Sequence, residues 1–151
     1  MGPELKELYQ QVILDHNKSP RNYGKLDNPN HSAEGYNPLC GDKVNVYLEI
    51  ENNIVKDISF QSSGCAISRA SASLMSSAVK GKTIEEAEKI FNKFHDLIIG
   101  KLDDDKAAEE LDKLAVFAGV KEFPSRVKCA TLPWHTMLNA LHNENEKAVT
   151  E

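Results

Sequence analysis

Residues 44–61, VNVYLEIENNIVKDISFQ, decide the fold of this 151-residue chain. Val44, Val46, Leu48 and Ile50 alternate with Asn45, Tyr47 and Glu49. That period of two belongs to a strand with one buried face. The short stretch ENN then leads into a second apolar run with Ile54, Val55, Ile58 and Phe60, so the segment reads as a β-hairpin. Upstream, HSAEGY (31–36) is a candidate third strand, and NKSPRNYGKLDNPN (17–30), rich in Pro, Asn and Gly, is a loop. Before it, ELKELYQQVILDH (4–16) carries Leu5, Leu8, Tyr9, Val12 and Ile13 at helical spacing.

Downstream of SSG (62–64) the period changes. In CAISRASASLMSSAVKG (65–81), Ile67, Ala70, Leu74 and Ala78 share one helical face, and Gly81 is a natural stop. Thr83 and Glu86 form a capping box for IEEAEKIFNKFHDLI (84–98). DKAAEELDKLAVFAG (105–119) reads as a further helix ending near Gly119. A closing helix runs from about Ser125 or Cys129 to Leu141, with Pro133 tolerable only if it sits in the first turn. Strands first and helices afterwards predict an α+β fold: a three-stranded antiparallel sheet with helices over one face. One domain is expected over residues 1–151.

The composition, 40% hydrophobic and 27% charged, is that of a soluble globular protein. A net charge of −5 argues against a nucleic-acid partner. No apolar run reaches the length of a membrane span. MGPELKELYQ lacks the apolar core of a secretory signal, and Lys6 stands where a myristoylation motif needs Ser or Thr. Three cysteines without a secretion signal imply a cytoplasmic location, where an odd thiol count is no anomaly.

Those cysteines carry the chemistry. Cys40 lies in NPLCGDKVNV (37–46), in the loop entering the hairpin and two positions from the carboxylate of Asp42. Cys65 falls at the strand-to-helix turn, and Cys129 near the start of the last helix. Packed cysteines more often fall inside elements. Three thiols at boundaries, with Asp42, offer four donors to a tetrahedral ion, and soft sulfur ligands favour zinc or an iron–sulfur cluster. The long, irregular spacing leaves incidental packed thiols as an open alternative. A thiol at Cys65 faces the unpaired N–H groups of a helix start. Gly64 and Gly41 let the backbone turn sharply beside the candidate ligands. His16 is expected to hold the first helix to the body. His135, six residues past Cys129, is expected to pack or be solvated. His31, His95 and His142 show no pattern, and Trp134 and Phe123 are candidate core or interface aromatics.

VILDHNKSPRNYG (12–24), CGD (40–42), SGCAIS (63–68) and RVKCATLPW (126–134), in this order, resemble the IscU/NifU-like family of iron–sulfur cluster assembly proteins. The likeness runs from about Leu5 to Leu141. Scaffold-type IscU members carry a histidine before the last cysteine, where this chain has Lys128. They also lack the segment at about 100–120. Both departures resemble the SufU-type branch. That resemblance implies zinc held by Cys40, Asp42, Cys65 and Cys129, and persulfide sulfur accepted on Cys40 from a SufS-type cysteine desulfurase. It also implies a basic residue near the site at Arg126, and downstream iron–sulfur assembly components as further partners. Sulfur transfer follows from the resemblance alone. Two other functions use the same ligands: a non-enzymatic scaffold on which a [2Fe–2S] cluster or iron is assembled, and a small domain with a purely structural zinc.

Overall fold

The computed structural model describes residues 3–27, 29–38, 41–101, 106, 109, 111, 114, 115, 117, 124–142, 148 and 149. Helix α1 (Pro3–Lys18) precedes strands β1 (His31–Asn37), β2 (Asp42–Glu51) and β3 (Ile54–Ser63). Helices α2 (Ala66–Val79), α3 (Ile84–Ile98) and α4 (Pro124–Leu141) follow, then a two-residue strand β4 (Ala148–Val149). The strand order is β3-β2-β1-β4. β1, β2 and β3 pair antiparallel, as the sequence predicts. β4 adds a parallel contact at Gly35 and Tyr36 of β1 that no sequence signal announced.

The hairpin turns through two residues, because Glu51 pairs with Ile54. Asn52 and Asn53 both have positive φ (54° and 67°). Tight two-residue hairpin turns require that hand, and asparagine tolerates it better than other side chains. Val44, Val46, Leu48, Val55, Ile58 and Phe60 are buried. They face α2 and α4, which cover one side of the sheet. α4 crosses β1 closely at Gly35. A Cβ there would lie 3.1 Å from Leu132 Cδ1 and overlap Thr136 Oγ1, so helix and strand meet where no side chain intervenes.

α2 is packed through polar as well as apolar atoms. Ser73 Oγ meets His16 Nδ1 at 2.7 Å and accepts from the Arg21 N–H at 2.8 Å. Asn22 Nδ2 donates to Ser76 Oγ at 3.0 Å. These contacts tie α1 and the following loop to α2, the role expected of His16. On the other side Ser71 Oγ donates to the Ala130 carbonyl and accepts from Trp134 Nε1 at 3.1 Å. Trp134 is fully buried, stacked on Phe94 with centroids 4.5 Å apart. Phe123 lies outside the described residues.

Two expectations need correction or completion. α4 starts at Pro124, so Pro133 is inside the helix and not in its first turn. An interior proline removes one hydrogen bond, yet side-chain bonds from Ser71 to Ala130 and from Thr131 and Thr136 to Val127 and Leu132 add others around the break. In the stretch at 105–119, Lys106, Glu109 and Leu111 are helical. Leu111, Leu114, Ala115 and Phe117 join the core, with Phe117 edge-on to Phe94. Its expected end at Gly119 lies outside the described residues.

α3 lies against α4 along a seam of histidines. His95 and His135 surround Phe91, with His–His ring centroids 6.2 Å apart, and His142 meets Glu88 at 3.1 Å. Burial, and secondarily the charge of His95, push the His135 pKa below the ordinary 6.5. A histidine depressed in the fold binds its proton more tightly once unfolded. Its contribution to stability is therefore present above about pH 6.5 and lost as pH falls toward its lower folded value. His135→Gln should flatten that acid limb when thermal unfolding is followed against pH. At the hairpin, Asn52→Ala should cost about 1 kcal/mol and Asn52→Gly close to nothing, read by urea unfolding.

Candidate metal centre

The sheet ends in a cluster built by its turns. Asn37 closes β1 and pairs with Asp42, the first residue of β2, and both are buried. Between them Gly41 takes φ +71° and returns its N–H to the Asn37 carbonyl at 2.8 Å. Across the sheet β3 ends at Ser63. Gly64, with φ +139°, then swings the chain into α2. A side chain at Gly64 would be strained, and its Cβ would overlap the Asp42 carboxylate and lie 2.9 Å from Asp42 Cα. The carboxylate occupies the space that the glycine leaves open.

Cys65 is the N-cap of α2. Its Sγ accepts from the Ser68 N–H at 3.4 Å, the capping role more usual for Ser or Asp. Its own N–H donates to Asp42 Oδ1 at 2.8 Å, and its thiol lies 3.5 Å from Asp42 Oδ2. Cys129 enters from α4, only 6% exposed. One ligand atom each from Asp42, Cys65 and Cys129 lies within 4.8 Å of the others. Ligands of one tetrahedral ion lie roughly 3–4 Å apart, given bonds of about 2.0–2.3 Å. Small side-chain movements therefore suffice. A fully buried carboxylate is costly to leave uncompensated, and a cation shared with two thiolates would compensate it. The donor set fits a thiophilic metal. Among the described residues neither Cys65 nor Cys129 is in a disulfide.

Three of the four expected ligands are thus brought together, while Cys40 lies outside the described residues. Arg126 is exposed, three residues before Cys129, and Lys128 is half-buried beside it. Among the described residues no histidine joins the cluster. Sequence reasoning did not find the Asp42–Cys65 N–H bond, which joins residues far apart in the chain. Nor did it single out Lys43 and Arg69, which follow Asp42 and Cys65 on the same strand and helix.

An antiparallel sheet covered by helices, with an Asp/Cys/Cys cluster at its end, defines a small α+β protein with a thiol-rich site suited to a metal. The chain belongs to the NifU-like N terminal domain family, which matches residues 8–130. It is 42% identical over 140 residues to the zinc-dependent sulfurtransferase SufU of Bacillus subtilis (strain 168), covering 93% of each chain. It is 37% identical over 138 residues to the iron–sulfur cluster assembly scaffold protein IscU of Streptococcus pyogenes serotype M1, covering 91% of this chain and 85% of that one. A solved structure of a candidate iron–sulfur cluster assembly scaffold for the SUF system, from Fervidobacterium islandicum AW-1, superposes with a TM-score of 0.81 at 35% identity. That match covers 93% of this chain and 99% of the other. A NifU-like N-terminal protein from Brucella abortus shares the fold, with a TM-score of 0.77 at 21% identity over 92% of this chain and 95% of that one.

Gly64→Ala should weaken metal retention at least about tenfold, because it displaces the carboxylate that orients the site. Gly81 also has positive φ (84°), but a Cβ added there would meet nothing within 4 Å, so Gly81→Ala should cost stability and leave metal affinity unchanged. Competition against a chromophoric chelator, alongside thermal melts, reads both.

Proposed function

We propose that this protein is a zinc-dependent sulfurtransferase of iron–sulfur cluster assembly that accepts sulfur from a SufS-type cysteine desulfurase. The observation that carries the reading is the convergence of Asp42, Cys65 and Cys129, within 4.8 Å of one another, in a chain 42% identical to a zinc-dependent sulfurtransferase. Cys40 is proposed as the fourth ligand and the sulfur acceptor. Lys128, where scaffold members carry histidine, supports the assignment, since a protonated amine offers no lone pair to a metal.

In the proposed transfer the Cys40 thiolate attacks the outer sulfur of the donor's persulfide. A new S–S bond forms on Cys40, the donor's S–S bond breaks, and its cysteine leaves as a thiolate. No external oxidant or reductant is consumed. Zinc, when bound, holds thiolates deprotonated and adds no redox chemistry of its own. Asp42, fixed by the Cys65 N–H, keeps the pocket in shape while Cys40 reacts. Cys40 adjoins Gly41, whose positive φ marks a sharp backbone turn. Cys65 and Cys129 are instead fixed at a helix cap and inside a helix. Arg126, exposed near the site, is assigned to stabilise the anionic sulfur in transit. The second reading, a scaffold for a [2Fe–2S] cluster on the same ligands, draws on the relatives named as IscU scaffolds.

Metal analysis of anaerobically purified protein, together with a desulfurase sulfide-release assay, tests the proposal. About one zinc per chain and stimulated sulfide release are expected. Stoichiometric iron with visible cluster absorbance, and no stimulation, would assign the scaffold role instead. Mass spectrometry after incubation with desulfurase and cysteine should find the extra sulfur on Cys40. Cys40→Ser should abolish that adduct while leaving the fold and part of the zinc. Arg126→Ala should lower turnover more than zinc content.

A further inference from the structure

Each described ligand is followed or preceded by a cation on its own element: Lys43 after Asp42, Arg69 one turn past Cys65, and Arg126 and Lys128 just before Cys129. Two of these cations are fixed on tyrosine rings. Lys43 Nζ lies 5.7 Å from the centroid of Tyr36, its cross-strand partner, and Arg69 Cζ lies 4.9 Å from that of Tyr23. The register places both pairs at the site end of the sheet. Lys43 pairs with Ser63, the last residue of β3, and the Tyr23 hydroxyl donates to the carbonyl of Ser62 beside it. Tyr23 is itself 45% exposed, edge-on to buried Phe60. Arg69 Nε is buried and has no hydrogen-bond partner among the described residues, while the Tyr23 ring lies against the guanidinium.

A net charge of −5 gives no general reason for a basic surface, yet cations gather around this site. Cations pre-ordered on aromatic rings give up little side-chain freedom on contact, and Tyr with Arg is the composition of energetic centres in protein interfaces. A small anion needs convergent donors, whereas Lys43 follows Asp42 on β2 and Arg69 lies one turn past Cys65 on α2, each beside its own tyrosine. That arrangement suits a protein surface.

We propose that Tyr23, Arg69, Tyr36 and Lys43 form a cationic–aromatic docking rim around the metal centre, whose partner is an acidic surface surrounding the donor cysteine of the desulfurase. The proposal rests on the sulfur-transfer reading and adds the chemistry of the partner's surface. Opposite charges accelerate encounter and orient it, and salt removes the effect.

The test is the association rate of the zinc-loaded full chain with a SufS-type desulfurase at low and high ionic strength. Variants Arg69→Glu and Lys43→Glu are compared with Lys82→Glu. Lys82 is exposed at the hairpin end, where its carbonyl accepts from the Val55 N–H. Reversal at either rim position should slow association about tenfold at low salt and much less at high salt, with Lys82→Glu unchanged. Zinc content and melting temperature are measured for each. If Arg69→Glu loses metal or fold, Lys43→Glu carries the comparison. Equal rates for rim and control variants, or rates indifferent to salt, would overturn the rim. A rim variant that dissociates a homodimer and leaves desulfurase association intact would assign the surface to a second copy and overturn it too. Absence of any desulfurase binding by the unaltered chain would instead overturn the sulfur-transfer reading, and the rim with it.

Discussion

The site depends on one hydrogen bond, from the Cys65 N–H to Asp42 Oδ1 at 2.8 Å. It joins the first residue of β2 to the cap of α2, and it forms only because Gly64 has no side chain to occupy the space of the carboxylate. The bond gives the buried Asp42 a donor and gives the start of α2 an acceptor for one of the N–H groups that a helix end leaves unpaired. The Ser68 N–H on Cys65 Sγ serves a second. Capping the helix and ordering two ligands are therefore the same set of contacts. A disturbance of one disturbs the other.

α2 then sets the position of the third ligand. Its interior face carries serines where most core helices carry branched apolar residues. Ser71 bonds Ala130, the residue after Cys129, and also receives the indole N–H of Trp134. Small hydroxyl-bearing side chains let α4 approach closely, and each bond fixes the helices' rotation and slide at a net worth of about 1 kcal/mol. Ser73 and Ser76 do the same for α1 and its loop. The approach of Cys129 to Cys65 is thus a result of helix packing.

Pro133 adds a local feature to that packing. With no N–H, it cannot donate to the carbonyl of Cys129 four residues earlier, which breaks the regular hydrogen-bond ladder at the ligand itself. Trp134 and Leu132 on either side are fully buried, and their packing holds the helix through the break. A proline in a helix interior signals a boundary when read from sequence, and tertiary burial overrides that signal here.

By itself the sequence determined the elements and most of the candidate ligands. Alternation from Val44 to Ile50, and the asparagines that tolerate the hairpin's left-handed turn, specify β2 and β3 locally. Thr83 and Glu86 specify the start of α3, where both bonds of the capping box form. Cys65 and Asp42 were legible because thiol, carboxylate and glycine types cluster at element ends. Local pattern could not decide how those ends meet. That Asp42 enters the space left by Gly64, and that Cys129 comes within 4.8 Å of the other two ligands from the interior of α4, are both consequences of strand register and helix packing. These contacts link residues 22 to 87 positions apart, where sequence periodicity carries no information. Only the burial of the core against the sheet brings them together.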